Sequence, residues 1–159
     1  MQVFDASSII YAWDNYPIEQ FPPLWDWMSE QVDVRSIVMP NIALKQVDNK
    51  VPECGTWLRK GNIELLPVTN NITQEALKIK RLLGIVSDNY HNKGVDENDI
   101  FIIATVRVNN LILISEEQQA NKPNVLSKCK IPTVCAMKEV SVPCKKFIDF
   151  IKGSNTVFG

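Results

Sequence analysis

Carboxylates stand at both ends of a long apolar segment in the last third of the sequence. The segment consists of two runs, Ile100–Val108 and Leu111–Ile114, joined by Asn109-Asn110. If the first run is a helix and the second a strand, the chain runs out and back, and both ends lie at one edge of the core. The acids at these ends are Asp96, Glu97, Asp99, Glu116 and Glu117. Because hard divalent cations prefer carboxylate oxygens, the pattern predicts a metal site at that edge.

Another carboxylate arrives at the same edge from the start of the chain. Met1–Phe4 is a short apolar run typical of a buried strand, and Asp5 follows it directly. Ser7 lies just after it, in a segment whose aspartate and serines favour a turn and a helix cap. In a parallel sheet, sites lie at the carboxyl ends of the strands. We therefore expect Asp5, Asp99 and Glu117 to converge.

The run Ile100–Val108 is rich in β-branched residues and could be mistaken for a strand. Its acidic first turn, which includes Asp99, suits the positive end of a helix dipole. Asn109-Asn110 then provides a natural stop. We interpret the run as a buried helix.

Strands alternate with helices along the sequence, which indicates an α/β fold with a parallel sheet and helices on both faces. The predicted strands are 1–4, 37–39, 63–66 and 111–114, with a candidate fifth strand within 125–131. The predicted helices are 9–13, 22–32, 41–50, 52–60, one capped by Asn71 or Thr73 that extends to Val86, 100–108, 132–137 and 143–151. Residues 153–159 are expected to form a loose tail.

Length and composition limit the function classes. With 159 residues, 45% hydrophobic and 22% charged, the sequence predicts a single domain over 1–159 with a substantial core. A net charge of -1 excludes a basic protein, so any nucleic-acid contact requires a local patch. The four cysteines form no CxxC pair and are expected to be reduced thiols in a cytoplasmic protein. No apolar run approaches the roughly 20 residues of a membrane span, and no targeting signature is present.

Three acidic or hydroxyl-bearing segments together resemble a known family. An apolar strand leads into Asp5-Ala6-Ser7-Ser8, Asp99 opens an Ile-Ile-Ala helix, and a later strand ends in Ile114-Ser115-Glu116-Glu117. Further landmarks are Phe21-Pro22-Pro23-Leu24-Trp25, Trp57-Leu58 and Ile131-Pro132-Thr133-Val134-Cys135. In this order they resemble the PIN-domain nucleases, most closely a bacterial subfamily of unknown function that is similar to the VapC-type toxins of toxin–antitoxin pairs.

The resemblance implies a fold, a cofactor and partners. The fold would be a three-layer α/β/α arrangement around a central, mostly parallel sheet of four to five strands. The activity would be a ribonuclease that uses Mg²⁺ or Mn²⁺. The partners would be RNA, a cognate antitoxin protein and a second copy of the chain in a homodimer.

The resemblance also assigns site residues. In the family, an acid after the first strand binds metal, which matches Asp5, and Ser7 matches a hydroxyl beside the site. Asp99 matches the acid at the head of the later helix. Glu117 matches the acid two residues after the hydroxyl that ends the next strand. Asp96 and Glu116 are further candidate ligands because they are acids in the same two segments.

One site position departs from the family pattern. The family places an acid on the helix after the second strand, about six residues past a proline, and Gln46 occupies that position here. An amide oxygen can still bind a cation or position water, but the substitution removes one negative charge and should weaken Mg²⁺ binding. Asp48 lies about 200° around the helix from Gln46 and is a poor substitute.

Three functions remain open from the sequence. The first is a metal-dependent ribonuclease, in which a metal-bound water attacks phosphorus. The second is a PIN-fold module that binds RNA or protein and has lost catalysis at Gln46. The third is a small α/β phosphatase. Each acid also has a purely structural interpretation, as a turn residue for Asp5, a helix cap for Asp99 and a surface acid for Glu117.

Overall fold

The central sheet has five strands, all parallel, and β1 lies in the middle. The computed structural model describes residues 1–159. The strands are β1 Gln2–Phe4, β2 Ile37–Pro40, β3 Glu64–Leu66, β4 Ile112–Ile114 and β5 Cys144–Lys145. Their order is β3-β2-β1-β4-β5, and every neighbouring pair is parallel. Together with the helices, this confirms the predicted three-layer α/β/α fold.

Eight α-helices and one 3-10 helix connect and cover the strands. They are α1 Ala6–Asn15, α2 Pro22–Asp33, α3 Asn41–Lys50, α4 Pro52–Lys60, α5 Asn70–Leu82, α6 Glu97–Val108, the 3-10 helix Leu126–Lys128, α7 Ile131–Ala136 and α8 Phe147–Ser154. The predicted bounds of α3 and α4 are confirmed at both ends. Proline explains where two helices begin, since Pro22 is the first residue of α2 and Pro52 is the first residue of α4. An N–H group in the first turn has no acceptor within the helix, so proline, which lacks this group, is tolerated there.

Helix α6 is the buried helix that its acidic first turn predicted. Asp96 is its N-cap and forms a capping box with Asp99, and Asn109 is its C-cap. Six of its twelve residues, all in the middle of the helix, are buried: Ile100, Ile102, Ile103, Ala104, Thr105 and Val106. The β-branched residues are tolerated because the helix is covered on nearly all sides, so packing outweighs their modest helix propensity.

The fifth strand is not where the sequence predicted it. Residues 125–131 contain the 3-10 helix Leu126–Lys128, and the strand is Cys144–Lys145, inside the predicted helix 143–151. Leu113 pairs with Cys144, and Ile114 pairs with Lys145. A strand of two residues leaves no periodic signal in the sequence, because it is defined by pairing with β4 rather than by its own pattern.

Helix α5 begins and ends earlier than predicted. Its N-cap is Thr69, whose Oγ1 accepts a 3.3 Å hydrogen bond from Ile72 N, and neither Asn71 nor Thr73 has that role. The helix ends at Leu82, and Gly84 follows with φ +70, a conformation that glycine adopts without steric cost. Val86 lies beyond the helix and is 70% exposed.

Helix α8 extends into the segment that was expected to form a loose tail. Gly153 and Ser154 complete α8, and Asn155 is its left-handed C-cap, with φ 56. The Phe158 ring packs edge-on against Trp27, with ring centroids 5.3 Å apart. This aromatic contact returns the chain end to α2. None of the helices combines the length and the apolar character needed to span a membrane.

Candidate functional site

Asp5 lies where β1 becomes α1. Its backbone N–H still pairs with β4, donating to Ile114 O at 3.1 Å, while its side chain caps α1. Oδ1 accepts hydrogen bonds from Ser8 N at 2.9 Å and from Ser7 Oγ at 2.8 Å. Asp5 is only 3% exposed. Burial raises the pKa of Asp5, and hydrogen bonds from Ser115, Ser7 and Ser8 act in the opposite direction.

Two serine hydroxyls join the end of β1 to the end of β4. Ser7 Oγ lies 3.3 Å from Ser115 Oγ. Ser7 Oγ also accepts a hydrogen bond from Glu116 N at 2.9 Å, and Ser115 Oγ accepts one from Glu117 N at 3.4 Å. The hydroxyl pair therefore connects the Asp5 carboxylate to the backbone that carries both glutamates.

Asp99 is a partly buried acid among other acids. Its backbone N–H donates to Asp96 Oδ1 at 2.8 Å, and its Oδ2 accepts from Asp96 N at 3.0 Å. Burial is the main cause that raises the pKa of Asp99 to about 7, and the charges of Asp96 and Glu117 raise it further. The electrostatic interaction with Glu117 shows that the acidic ends of α6 and β4 approach each other, as the sequence predicted.

Glu116 and Glu117 each hold the start of a different helix. Glu117 Oε2 accepts a 2.9 Å hydrogen bond from Ile131 N, the first residue of α7. Glu116 Oε2 accepts a 3.1 Å hydrogen bond from Phe147 N, the first residue of α8. Carboxylates are favoured there because free N–H groups and the helix dipole attract negative charge. Neither contact was predicted from the sequence, since neither helix is close to β4 in the chain.

Gln46, which was expected at the site in place of an acid, lies half buried on α3. Asp48, the nearest acid on the same helix, is occupied elsewhere: both of its oxygens accept hydrogen bonds from Arg59 of α4. These hydrogen bonds hold the pKa of Asp48 below its usual range. Asp48 Oδ1 also lies over Gly55, only 2.1 Å from where a Cβ at that residue would be. Asp48 therefore does not replace the missing acid.

The side chains provide the oxygen ligands that a hard divalent cation prefers, but they are not arranged as a complete coordination site. Asp5, Asp99 and Glu117 supply carboxylate oxygens, and Gln46 supplies an amide oxygen. A cation would relieve the repulsion between Asp99 and Glu117. No group of three or more His, Cys, Asp or Glu side chains is arranged to hold a metal ion. The structure thus brings Asp99 near Asp96 and Glu117, and Asp5 near Ser7 and Ser115, without joining them into one three-ligand cluster.

A buried thiol, that of Cys135, lies near Asp5 and Glu117. Cys135 of α7 lies close to Cys144 of β5, and the pKa of the Cys135 thiol is raised by that neighbour, by burial and by the negative charges of Asp5 and Glu117. Nothing in the spacing of the cysteines points to this pair, because α7 and β5 meet only in the folded chain.

Solved structures with a similar fold include toxin–antitoxin proteins. A chain of the VapBC2 complex from Rickettsia felis, bound to a DNA fragment from its promoter, has a TM-score of 0.52 at 13% identity and covers 81% of this chain and 96% of its own. A toxin–antitoxin complex from Klebsiella pneumoniae gives a TM-score of 0.49 at 12% identity, covering 80% and 94%. PAE2754 from Pyrobaculum aerophilum gives 0.47 at 11% identity, covering 88% and 96%. At these identities the likeness concerns the fold alone.

Sequence comparison identifies a family without a described activity. No curated protein matches this sequence significantly. One family model, a domain of unknown function called DUF4411, matches residues 2–158, nearly the whole chain. The predicted PIN-like fold, close to that of VapC-type proteins, agrees with the five-stranded parallel sheet and with the fold of the Rickettsia felis VapBC2 chain. The chain therefore belongs to the DUF4411 family and has a PIN-like fold.

Proposed function

We propose that this protein is a Mg²⁺- or Mn²⁺-dependent endoribonuclease and the toxin half of a toxin–antitoxin pair. The observation that carries the proposal is the state of Asp99. Its carboxyl is partly buried, and this burial, together with the charges of Asp96 and Glu117, raises its pKa to about 7. Acids that are held close together despite their mutual repulsion are a recurrent feature of functional sites, because a bound ligand or metal offsets the repulsion.

Each residue of the proposed site has a distinct task. Asp5, Asp99 and Glu117 would hold the metal, and the Gln46 amide oxygen would complete the set. The metal would lower the pKa of bound water and stabilise charge on the phosphate. Ser7 holds Asp5 in place through the 2.8 Å hydrogen bond and orients water or substrate. Ile131 N fixes one oxygen of Glu117 and leaves the other oxygen for a ligand.

The proposed partners rest on the likeness to toxin–antitoxin structures. The neighbour from Rickettsia felis is part of a VapBC2 complex on promoter DNA. We infer by analogy that this chain has a cognate antitoxin that neutralises it, that RNA is its substrate and that it can form a homodimer. Co-purification with the protein encoded by the adjacent gene tests the antitoxin, and sedimentation tests the homodimer.

An RNA cleavage assay tests the enzymatic proposal. Structured RNA is incubated with purified protein in Mn²⁺, with and without EDTA. We expect metal-dependent cleavage that falls at least 100-fold in Asp5→Asn and in Asp99→Asn. Asp26→Asn, a change at an exposed acid of α2, is the matched control and should cut at the normal rate. Cleavage that persists in EDTA, or that both site variants retain, would overturn the proposal.

A specific observation favours a second candidate, a non-catalytic PIN-fold module that binds RNA or protein. The resemblance to PIN-domain nucleases implies an acid at the position of Gln46, and the nearby Asp48 is held by Arg59. Gln46→Glu separates the two candidates. On the second candidate, the natural protein binds RNA without cutting it, and the substitution raises Mn²⁺ affinity and restores cleavage. If the natural protein already cuts RNA, the second candidate is wrong.

A further inference from the structure

Two thiols from different elements meet beside the candidate site. Cys135 lies in the last turn of α7, and Cys144 is the first residue of β5. All four cysteines of the chain are free. Helix α7 packs against β5, so Cys135 and Cys144 lie on adjacent elements, whereas Cys54 and Cys129 are each fully buried elsewhere in the core.

The backbone holds these two residues close together. Val142 N donates a 3.0 Å hydrogen bond to Cys135 O, so the chain returns to the end of α7 two residues before Cys144. Cys144 is then fixed by pairing with Leu113 of β4. A disulfide requires two Cα atoms roughly 4.4–6.8 Å apart, a separation that such an adjacent backbone pair can meet without a large rearrangement.

The two thiols differ in their access to solvent, and this sets the order in which they react. Cys135 is 1% exposed, whereas Cys144 is only half buried. A small oxidant in solution reaches Cys144 first, and Cys135 is positioned to react with the product. An accessible cysteine beside a second, resolving cysteine is the usual arrangement of a reversible oxidation site.

We propose that Cys135 and Cys144 form an oxidation site that a peroxide converts to an intramolecular disulfide. The Cys144 thiolate attacks one oxygen of hydrogen peroxide, which gives a Cys144 sulfenic acid and releases hydroxide. The Cys135 sulfur then attacks the sulfenic sulfur, and the S–O bond breaks. The Cys135 proton and the leaving hydroxide form water. In total, two thiols are oxidised by two electrons, and one peroxide is reduced to two waters.

The location gives the bond a structural consequence. Helix α7 is held at its first residue by Glu117 and would be held at its fifth by the disulfide. Oxidation would thus fix α7 against the sheet edge that carries the carboxylates. The oxidation site does not depend on the proposed nuclease activity, and its test is made without RNA.

The test counts thiols in the full-length protein. The protein is treated with hydrogen peroxide, quenched and denatured, and free thiols are counted before the peptides are mapped by mass spectrometry. We expect two of the four thiols to be lost and a peptide pair linked through Cys135 and Cys144. Cys144→Ala should lose no thiol pair. Cys129→Ala, a matched control at a buried cysteine outside the pair, should still form the linked peptide.

A second variant traps the intermediate. In Cys135→Ser the resolving sulfur is absent, so a sulfenic-acid probe such as dimedone should label Cys144, and circular dichroism confirms that the variant is folded. Retention of all four thiols in the natural protein would overturn the proposal. So would a disulfide that includes Cys54 or Cys129, or one that links two chains on a non-reducing gel.

Discussion

Ser7 and Ser115 are 108 residues apart in the chain, yet their hydroxyl oxygens lie 3.3 Å from each other. The Ser7 hydroxyl bonds to both strand ends, because Ser7 Oγ accepts from Glu116 N after β4 and donates to Asp5 at the end of β1. Ser115 Oγ accepts from Glu117 N. The pair therefore fixes the end of β1 relative to the end of β4, which is the geometry that any joint action of Asp5 and Glu117 requires.

Removing one hydroxyl should destabilise the fold. Ser115→Ala removes the contact to the Ser7 hydroxyl and the hydrogen bond from the Glu117 N–H in a part of the protein that is largely shielded from water. We therefore expect a loss of about 1–3 kcal/mol in the free energy of unfolding. Urea denaturation measures it. Thr56→Ala is the control, because the exposed Thr56 hydroxyl bonds only to Pro52 O within its own helix. Equal losses in the two variants would show that the serine pair has no special structural role.

Ionisation of Asp99 should make stability depend on pH. The folded-state pKa of about 7 is above the ordinary value of 3.8, so the folded state binds more protons than the unfolded state between these values. Stability contributed at this site is therefore lost as the pH rises from about 4 to about 7. Asp99→Asn removes the dependence and can keep the capping box, since its amide oxygen can accept from Asp96 N. The stability advantage of the variant, measured by urea denaturation without metal, should grow over that range and level off above it. A constant difference would contradict the assignment.

Glu117 and Glu116 provide a matched pair for testing metal binding. Both are held by the first N–H of a helix, but only Glu117 is among the charges that raise the pKa of Asp99. Glutamine can keep either hydrogen bond while removing the charge. Glu117→Gln should reduce the Mn²⁺-induced rise in melting temperature by more than half, whereas Glu116→Gln should leave it nearly unchanged. The reverse order would move the proposed ligand from Glu117 to Glu116.

The close contact between Asp48 and Gly55 should make that glycine hard to replace. A Cβ at residue 55 would lie 2.1 Å from Asp48 Oδ1, so Gly55→Ala must displace Asp48 from Arg59 or shift α4 away from α3. We expect a loss of about 1–3 kcal/mol in the free energy of unfolding. Gly153→Ala is the control, because nothing lies within 4 Å of its added Cβ. A Gly55→Ala variant with an unchanged free energy of unfolding would contradict the close contact.

Features with a local chemical cause were predicted from the sequence. The acidic turn at Asp99 identified α6 as a helix despite its β-branched run, and Pro52 marked the start of α4. Alternation of strands and helices was enough for the parallel sheet. The proximity of Asp99 to Glu117 followed from the same topology, since the start of α6 and the end of β4 must lie at the same edge of the sheet.

Features that depend on pairing across the fold were not predicted. Strand β5 has two residues and exists only because β4 lies beside it. The contacts of Glu116 and Glu117 depend on where α8 and α7 begin in space. The Cys135–Cys144 pair likewise requires α7 and β5 to be adjacent. In each case the deciding partner is distant in the chain and carries no recognisable spacing.

Calorimetric titration of Mn²⁺ tests the central claim, that the carboxylates around Asp99 hold a divalent cation. The titration is run at pH 8, where Asp99 is ionised, with the natural protein, Asp99→Asn and the exposed-acid control Asp26→Asn. We predict saturable binding by the natural protein and the control, and at least a tenfold weaker affinity in Asp99→Asn. Equal affinity in all three proteins, or no saturable binding by the natural protein, would contradict the claim.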